Sequence, residues 1–252
     1  MHLSTPEPVP DTPQQRTADR RRLQRALNAS LAAVLVLAVA FAAQHTFDWR
    51  PLAIAPHAWP GLIGIVTAPL LHGSPEHLGA NAVALLLLGT LSGMVYPRAT
   101  VRALPLLWLG SGLGAWMLGE AGTRHLGASG VAHGLMFLVF GLGLLRRDRP
   151  AIAAAMIAFF LYGGMLLTVL PHEAGVSWQA HFGGALAGLL GAWLFRRSDA
   201  MAPRKRYSWE EDDFPDSAAD PLEPPRPDDV PVLWIRTETS PGPVVVRLPN
   251  RD

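Results

Sequence analysis

Pro51-Leu-Ala-Ile-Ala-Pro56-His-Ala-Trp-Pro60-Gly-Leu-Ile-Gly-Ile-Val-Thr-Ala-Pro69-Leu-Leu-His72-Gly-Ser-Pro75 runs for 25 residues without a Lys, Arg, Asp or Glu. By composition alone it competes for the role of a membrane span. Five prolines argue otherwise, because each removes a backbone donor and blocks a straight helix. The best unbroken apolar piece, residues 61–71, falls short of the roughly 20 residues that cross a bilayer. The stretch is therefore expected to be a structured loop lying in or on one membrane face. Its reading decides the fold. As a loop it leaves six spans, and as a span it makes seven and inverts every segment that follows.

Six other stretches are long, apolar and nearly free of charge: 26–47, 77–96, 103–119, 129–145, 151–170 and 178–195. Only 16% of the 252 residues are charged and 50% are hydrophobic. Between Ala26 and Arg196 the acids are Asp48, Glu76, Glu120, Asp148 and Glu173. Ala40-Phe41-Ala42 resembles a signal-peptide cleavage site. A polar leader of 25 residues and five further spans favour a retained first span instead. Cationic clusters fall at alternate ends: Arg20, Arg21, Arg22 and Arg25 before the first span, Arg98 and Arg102 after the second, Arg146, Arg147 and Arg149 after the fourth, and Arg196, Arg197, Arg204, Lys205 and Arg206 after the sixth. The opposite loops hold only Arg50 and Arg124. Cytoplasmic loops carry the excess of Lys and Arg, so both termini are expected in the cytoplasm. Seven spans would put the Arg98 and Arg146 loops outside, which supports the loop reading independently of the prolines.

The expected organisation is a cytoplasmic N-terminal tail (1–26), read as disordered over 1–25, a membrane domain (27–198) and a proline-rich, acidic, mostly disordered cytoplasmic tail (199–252). Within that tail, 232–236 and 244–247 could pair as a hairpin. A net charge of +1 offers nothing for nucleic acid, and the absence of cysteine removes disulfides, thiolate catalysis and cysteine-ligated metal. No cofactor is expected. The partners are the lipid bilayer and other membrane proteins.

Three short stretches carry polar side chains into the spans. They are Gly127-Ala128-Ser129-Gly130, His72-x4-His77-x3-Asn81, and Ala180-His181-x2-Gly184-x3-Gly188. Asn81 lies 17 residues before Arg98, Ser129 lies 17 before Arg146, and His181 lies 15 before Arg196. At ~1.5 Å per residue this puts all three about 22–26 Å from the cytoplasmic boundary. His77 is one turn above Asn81 on the same face. Gly184 and Gly188 allow a close helix crossing, which is packing in most proteins, and Gly127 and Gly130 leave room around Ser129. Asn81 and His181 could each serve only as interhelical hydrogen-bond partners. Polar groups at this depth are costly and tend to be functional, and three at one level, one of them a glycine-flanked serine, favour chemistry.

Serine is a poor nucleophile until a base takes its proton. His181 is the best base at that level, since an imidazole withdrawn from water favours its neutral, proton-accepting form. No carboxylate lies at that depth, so a Ser-His dyad is expected, with His181 held by packing. His77, Asn81 and the Ser129 backbone N–H could donate to the oxyanion of a tetrahedral intermediate. A metal site built on His72, His77 and His181 competes. It lacks the HExxH pattern, since His172-Glu173 has no second histidine, so no metal is expected.

At these residues the chain resembles the rhomboid intramembrane serine proteases, and the likeness covers 27–198. The motifs are short, but their order, spacing and place in the spans match together. The resemblance implies an all-α membrane protein: a six-transmembrane-helix bundle with a membrane-associated outer loop between helices 1 and 2. It implies Ser129 as nucleophile, His181 as base, and His77 and Asn81 as oxyanion stabilisers. His72, Gly127, Gly130, His133, Gly184 and Gly188 are expected in support. Ala128 stands where inactive relatives often carry proline. His133 replaces an aromatic residue that packs on the catalytic histidine in many relatives; it could stack in the same way or make a polar contact. Ile63-Gly64 stands where many have Trp-Arg, and Trp49-Arg50 lies too far upstream to replace them. The implied substrates are transmembrane segments of other proteins, entering near the fifth span and the loop 171–177. Gly163 and Gly164 could loosen that span, although glycine is common in membrane helices anyway. The expected location is a bacterial inner (plasma) membrane. The alternative function is a rhomboid-like adaptor that binds transmembrane helices without cutting them.

Overall fold

The computed structural model describes residues 12–171 and 175–200. The hairpin expected near the C-terminus lies outside them. Among the described residues there is no β-strand, only an isolated bridge between Ile54 and His125. The α-helices are α1 (Pro13–Ala43), α2 (Gly64–Thr67), α3 (Pro75–Val95), α4 (Pro97–Leu118), α5 (Ser129–Arg146), α6 (Arg149–Tyr162) and α7 (Trp178–Phe195).

Five helical stretches are long and apolar enough to cross a membrane: Pro13–Thr46, Pro75–Val95, Pro97–Leu118, Ser129–Arg146 and Arg149–Leu166. The protein is a multi-pass membrane protein. α7 is also 18 residues long and carries no Lys, Arg, Asp or Glu. The 51–75 stretch breaks into 3-10 turns at Arg50–Leu52, Trp59–Ile63 and Ala68–Leu70 around the short α2. Its longest helical run, Trp59–Leu70, covers ~18 Å against a ~30 Å core.

α1 corrects one expectation. Residues 13–25, expected as part of a disordered tail, are helical. The Thr12 hydroxyl accepts the Gln15 N–H at 3.2 Å, and Pro13 occupies the first turn, where its missing donor costs nothing. The Arg, Gln, Leu and Ala that follow are good helix formers. Hydropathy marks only the apolar part of this helix.

α5 is the centre of the bundle. Every residue from Gly130 to Val139 is buried, and α5 packs on α7, α6, α4 and α3. α7 packs equally on α4, and α1 leans on α3. The α5–α7 crossing is close because Gly184 and Gly188 press on the backbone of Gly130 and Gly134. A Cβ on Gly184 would meet the Gly130 carbonyl oxygen and lie 2.8 Å from its carbonyl carbon.

At the end of the bundle expected to face the cytoplasm, Arg146 is an organiser rather than a free flanking charge. It pairs with Asp148 at 3.0 Å, lies over the Tyr96 ring at 5.5 Å, and donates to the Asp199 carbonyl at 2.9 Å. The Asp199 carboxylate accepts from the Arg98 and Ala99 amides, both at 2.9 Å, and so caps α4. One polar cluster thereby ties the ends of α3, α4, α5, α6 and α7. The 51–75 segment is tied in turn to α4 and to the stretch before α5. Trp108 Nε1 donates to Val66 O at 3.0 Å, Trp116 Nε1 to Ala58 O at 3.1 Å, and the Gly127 amide to Ala68 O at 2.9 Å.

Candidate active site

Ser129 is the first residue of α5, so its N–H has no acceptor within the helix. It follows Gly127, whose φ of 109° suits glycine. A Cβ at Gly127 would lie 2.6 Å from His77 Nε2. His77 sits in the first turn of α3, where its amide donates to the Ser74 hydroxyl at 3.2 Å, and Asn81 is one turn further on. His181 sits in the first turn of α7. Three helix starts therefore bring these side chains together. The expected level placement of Ser129, Asn81 and His181 becomes shared contact, since Ser129, His77, Asn81 and His181 line one cavity of about 1130 Å³.

Ser129 Oγ and His181 Nε2 are 2.9 Å apart. His181 Nδ1 is 3.0 Å from the carbonyl oxygen of Thr168. A carbonyl can only accept, so Nδ1 carries the proton and Nε2 is left bare to accept from the Ser129 hydroxyl. This corrects the expectation that packing alone holds His181. The main chain at Thr168 sets its tautomer.

A family model described as Rhomboid domain matches residues 60–198, the stretch that holds these side chains. The chain belongs to the rhomboid family. Uncharacterized proteins of Mycobacterium bovis and Mycobacterium tuberculosis are 38% identical to it over 157 residues, 59% of this chain and 65% of theirs. One of Mycobacterium leprae is 38% identical over 143 residues, 53% of this chain and 56% of its own. The alignments thus span less than two thirds of each of these relatives.

In this rhomboid, His133 lies flat on His181, with ring centroids 3.8 Å apart and planes 13° from parallel. It stacks as an aromatic residue would, and its polar contacts go elsewhere. His133 Nδ1 donates to the Ser129 carbonyl at 2.7 Å, so Nε2 is the acceptor facing Thr168 Oγ1 at 2.8 Å. The Thr168 hydroxyl also lies 3.1 Å from Met165 O, the longer of its two contacts. Thr168 therefore holds both imidazoles, one by its carbonyl and one by its hydroxyl. It follows the point where α6 ends at Tyr162 and Gly163–Leu166 tightens into a 3-10 turn. Thr168 escapes a sequence reading because its bond to His181 is made by a group every residue possesses.

His72 does not join the cavity. It is 1% exposed, in the turn before α3, edge-on to His77 with ring centroids 5.1 Å apart, and both its ring nitrogens are unpaired. Burial, reinforced by His77, pushes its pKa down to about 4. Gln44 holds its main chain, accepting from the His72 amide at 2.9 Å and donating to its carbonyl at 3.0 Å. Gln44 and Gln179 are amides set in apolar runs, a signal that the sequence carries. Gly130 packs on Ser111 and the Ala180 carbonyl. Where many relatives have Trp-Arg, Ile63 is exposed and Gly64 rests on the Ile54 backbone. Among the described residues no three His, Asp or Glu side chains gather as metal ligands.

Proposed function

We propose that this rhomboid is a serine endopeptidase that cuts transmembrane segments of other proteins through a Ser129–His181 dyad. The observation that carries the reading is the 2.9 Å contact of Ser129 Oγ with a His181 Nε2 left unprotonated by the Thr168 carbonyl. As the Ser129 oxygen attacks the substrate carbonyl, its proton passes to Nε2, and the resulting imidazolium returns it to the leaving amine. Water then repeats the sequence on the acyl-enzyme. Asn81 Nδ2 is buried without a partner, and the Ser129 amide is free of helical bonding. With His77 beside them, these donors suit the oxyanion, where one such group is worth ~100- to 1000-fold in kcat.

In this reading α7 is the sixth span, both termini face the cytoplasm, and the 51–75 segment lies at the outer face. The membrane is the plasma membrane of a bacterium, as the mycobacterial relatives support. Segments 1–26, 27–198 and 199–252 are cytoplasmic tail, protease domain and cytoplasmic tail. Rhomboids are generally intramembrane serine proteases, but some are inactive, so family membership alone does not decide between protease and adaptor.

The test is cleavage of a panel of single-span substrates in proteoliposomes by wild type, Ser129→Ala, His181→Ala and Asn81→Ala. Loss of cleavage in the first two variants, and a loss of about 100- to 1000-fold in the third, is expected. Binding of the whole panel without cutting any member would make the protein an adaptor and end the protease reading.

A further inference from the structure

The cavity holding Ser129 contains a second unpaired amide. Gln179, in the first turn of α7, is 7% exposed and lines the same cavity as Ser129, Asn81 and His181. Its Oε1 is buried with no hydrogen-bond partner. An acceptor withdrawn from water and left unpaired is costly, and such orphans call for an explanation. Gln179 and Asn81 line one space, and their unpaired buried groups are opposite in polarity, an acceptor and a donor.

The occupant must match that polarity. A transmembrane segment that unwinds to reach Ser129 loses its helical bonds, which bares N–H and C=O groups in surroundings with little water. The reacting carbonyl is served by Asn81 and its neighbours, but the bared N–H groups need acceptors. Glu120 lines the cavity too but is exposed. We propose that Gln179 Oε1 accepts a backbone N–H of the unwound substrate next to the scissile bond, making it a substrate-binding residue. The inference rests on the protease reading for its substrate. It adds that recognition is by main chain, so this contact tolerates varied side chains while requiring an N–H at one position.

The test combines Gln179→Met, which keeps the volume and deletes the acceptor, with substrates N-methylated at single positions around the cut. With unmodified substrate, Gln179→Met should lower kcat/KM about three- to tenfold, the range for one hydrogen bond. One N-methylated substrate should lose a similar factor with wild type and nothing further with Gln179→Met. The thermal midpoint should stay level or rise, because the variant removes an unpaired buried group. The same pairs, measured as peptide affinity in a Ser129→Ala background, read Gln179 without cleavage. Failure of wild type to cut would therefore sink the protease reading and leave this contact decided by binding. Wild-type kcat/KM and affinity in Gln179→Met, or additive losses at every methylated position, would overturn the inference.

Discussion

Replacing Gly184 with alanine puts one methyl carbon into the α5–α7 crossing. The new Cβ would lie 2.8 Å from the Gly130 carbonyl carbon, on helix backbone that has nowhere to fold away. Carbon atoms sit comfortably at about 3.5–4.0 Å, so α7 must retreat from α5 by about 0.7 Å or more. Gly130 follows Ser129 in the chain, and Gly184 is one turn after His181, so the displacement falls on the dyad. Added to the 2.9 Å contact, it carries Ser129 Oγ and His181 Nε2 to about 3.6 Å, beyond hydrogen-bonding range. Misplacement on the order of 1 Å costs about 100-fold in rate, or ~2.7 kcal/mol of barrier. Overpacking itself should cost about 1–3 kcal/mol of stability. The assay is kcat/KM on a single-span substrate in micelles, with fluorophosphonate labelling of Ser129 and a thermal midpoint on the same preparation. A Gly184→Ala protein that melts lower but cuts and labels within about threefold of wild type would refute the claim that this crossing sets the dyad distance.

Two further outcomes are expected. Thr168→Val keeps the carbonyl on His181 but removes the hydroxyl facing His133 Nε2, stranding a buried nitrogen; stability should fall by about 1–3 kcal/mol, while Thr168→Ser restores it, both read by chemical or thermal denaturation. For His72, the folded pKa of about 4 lies below the ordinary value near 6.5, so between those values the unfolded chain binds more protons. Its contribution to stability should be complete above about pH 6.5 and decline as pH falls towards 4, by at most about 3 kcal/mol. Melts across that window should show the decline in wild type and a shallower one in His72→Asn.

The helices were most legible where apolar character and helical structure end together. Expected spans at 129–145 and 178–195 meet α5 (Ser129–Arg146) and α7 (Trp178–Phe195), because glycines or polar loops precede them and arginines follow. The fifth span was drawn to Leu170, yet the α-helix stops at Tyr162. Gly163 and Gly164 interrupt it, while Met165–Leu170 stays apolar, so hydropathy passes over the break. The start of α1 was missed for the opposite reason, since a helix rich in Arg and Gln leaves no hydropathy signal. At the candidate site, residues at one level could be counted from arginine flanks. The contacts that orient them could not. The Thr168 carbonyl, the Gln44 pairing with His72 and the Gly127–Ala68 bond all use main-chain groups, which carry no residue identity.

The Thr168 carbonyl bond to His181 also bears on timing. Residues 163–170 lie where the protease reading passes a substrate, and they carry the acceptor that keeps His181 Nδ1 protonated. Any displacement large enough to lengthen that 3.0 Å bond frees the imidazole to turn or exchange tautomers, and it loosens His133 in the same movement. In the protease reading, admission and reactivity would then be interlocked: a substrate that parted this segment from α7 would disarm His181 until the 3.0 Å bond formed again. A rhomboid wired this way would spare segments that enter and leave quickly and cut those that dwell.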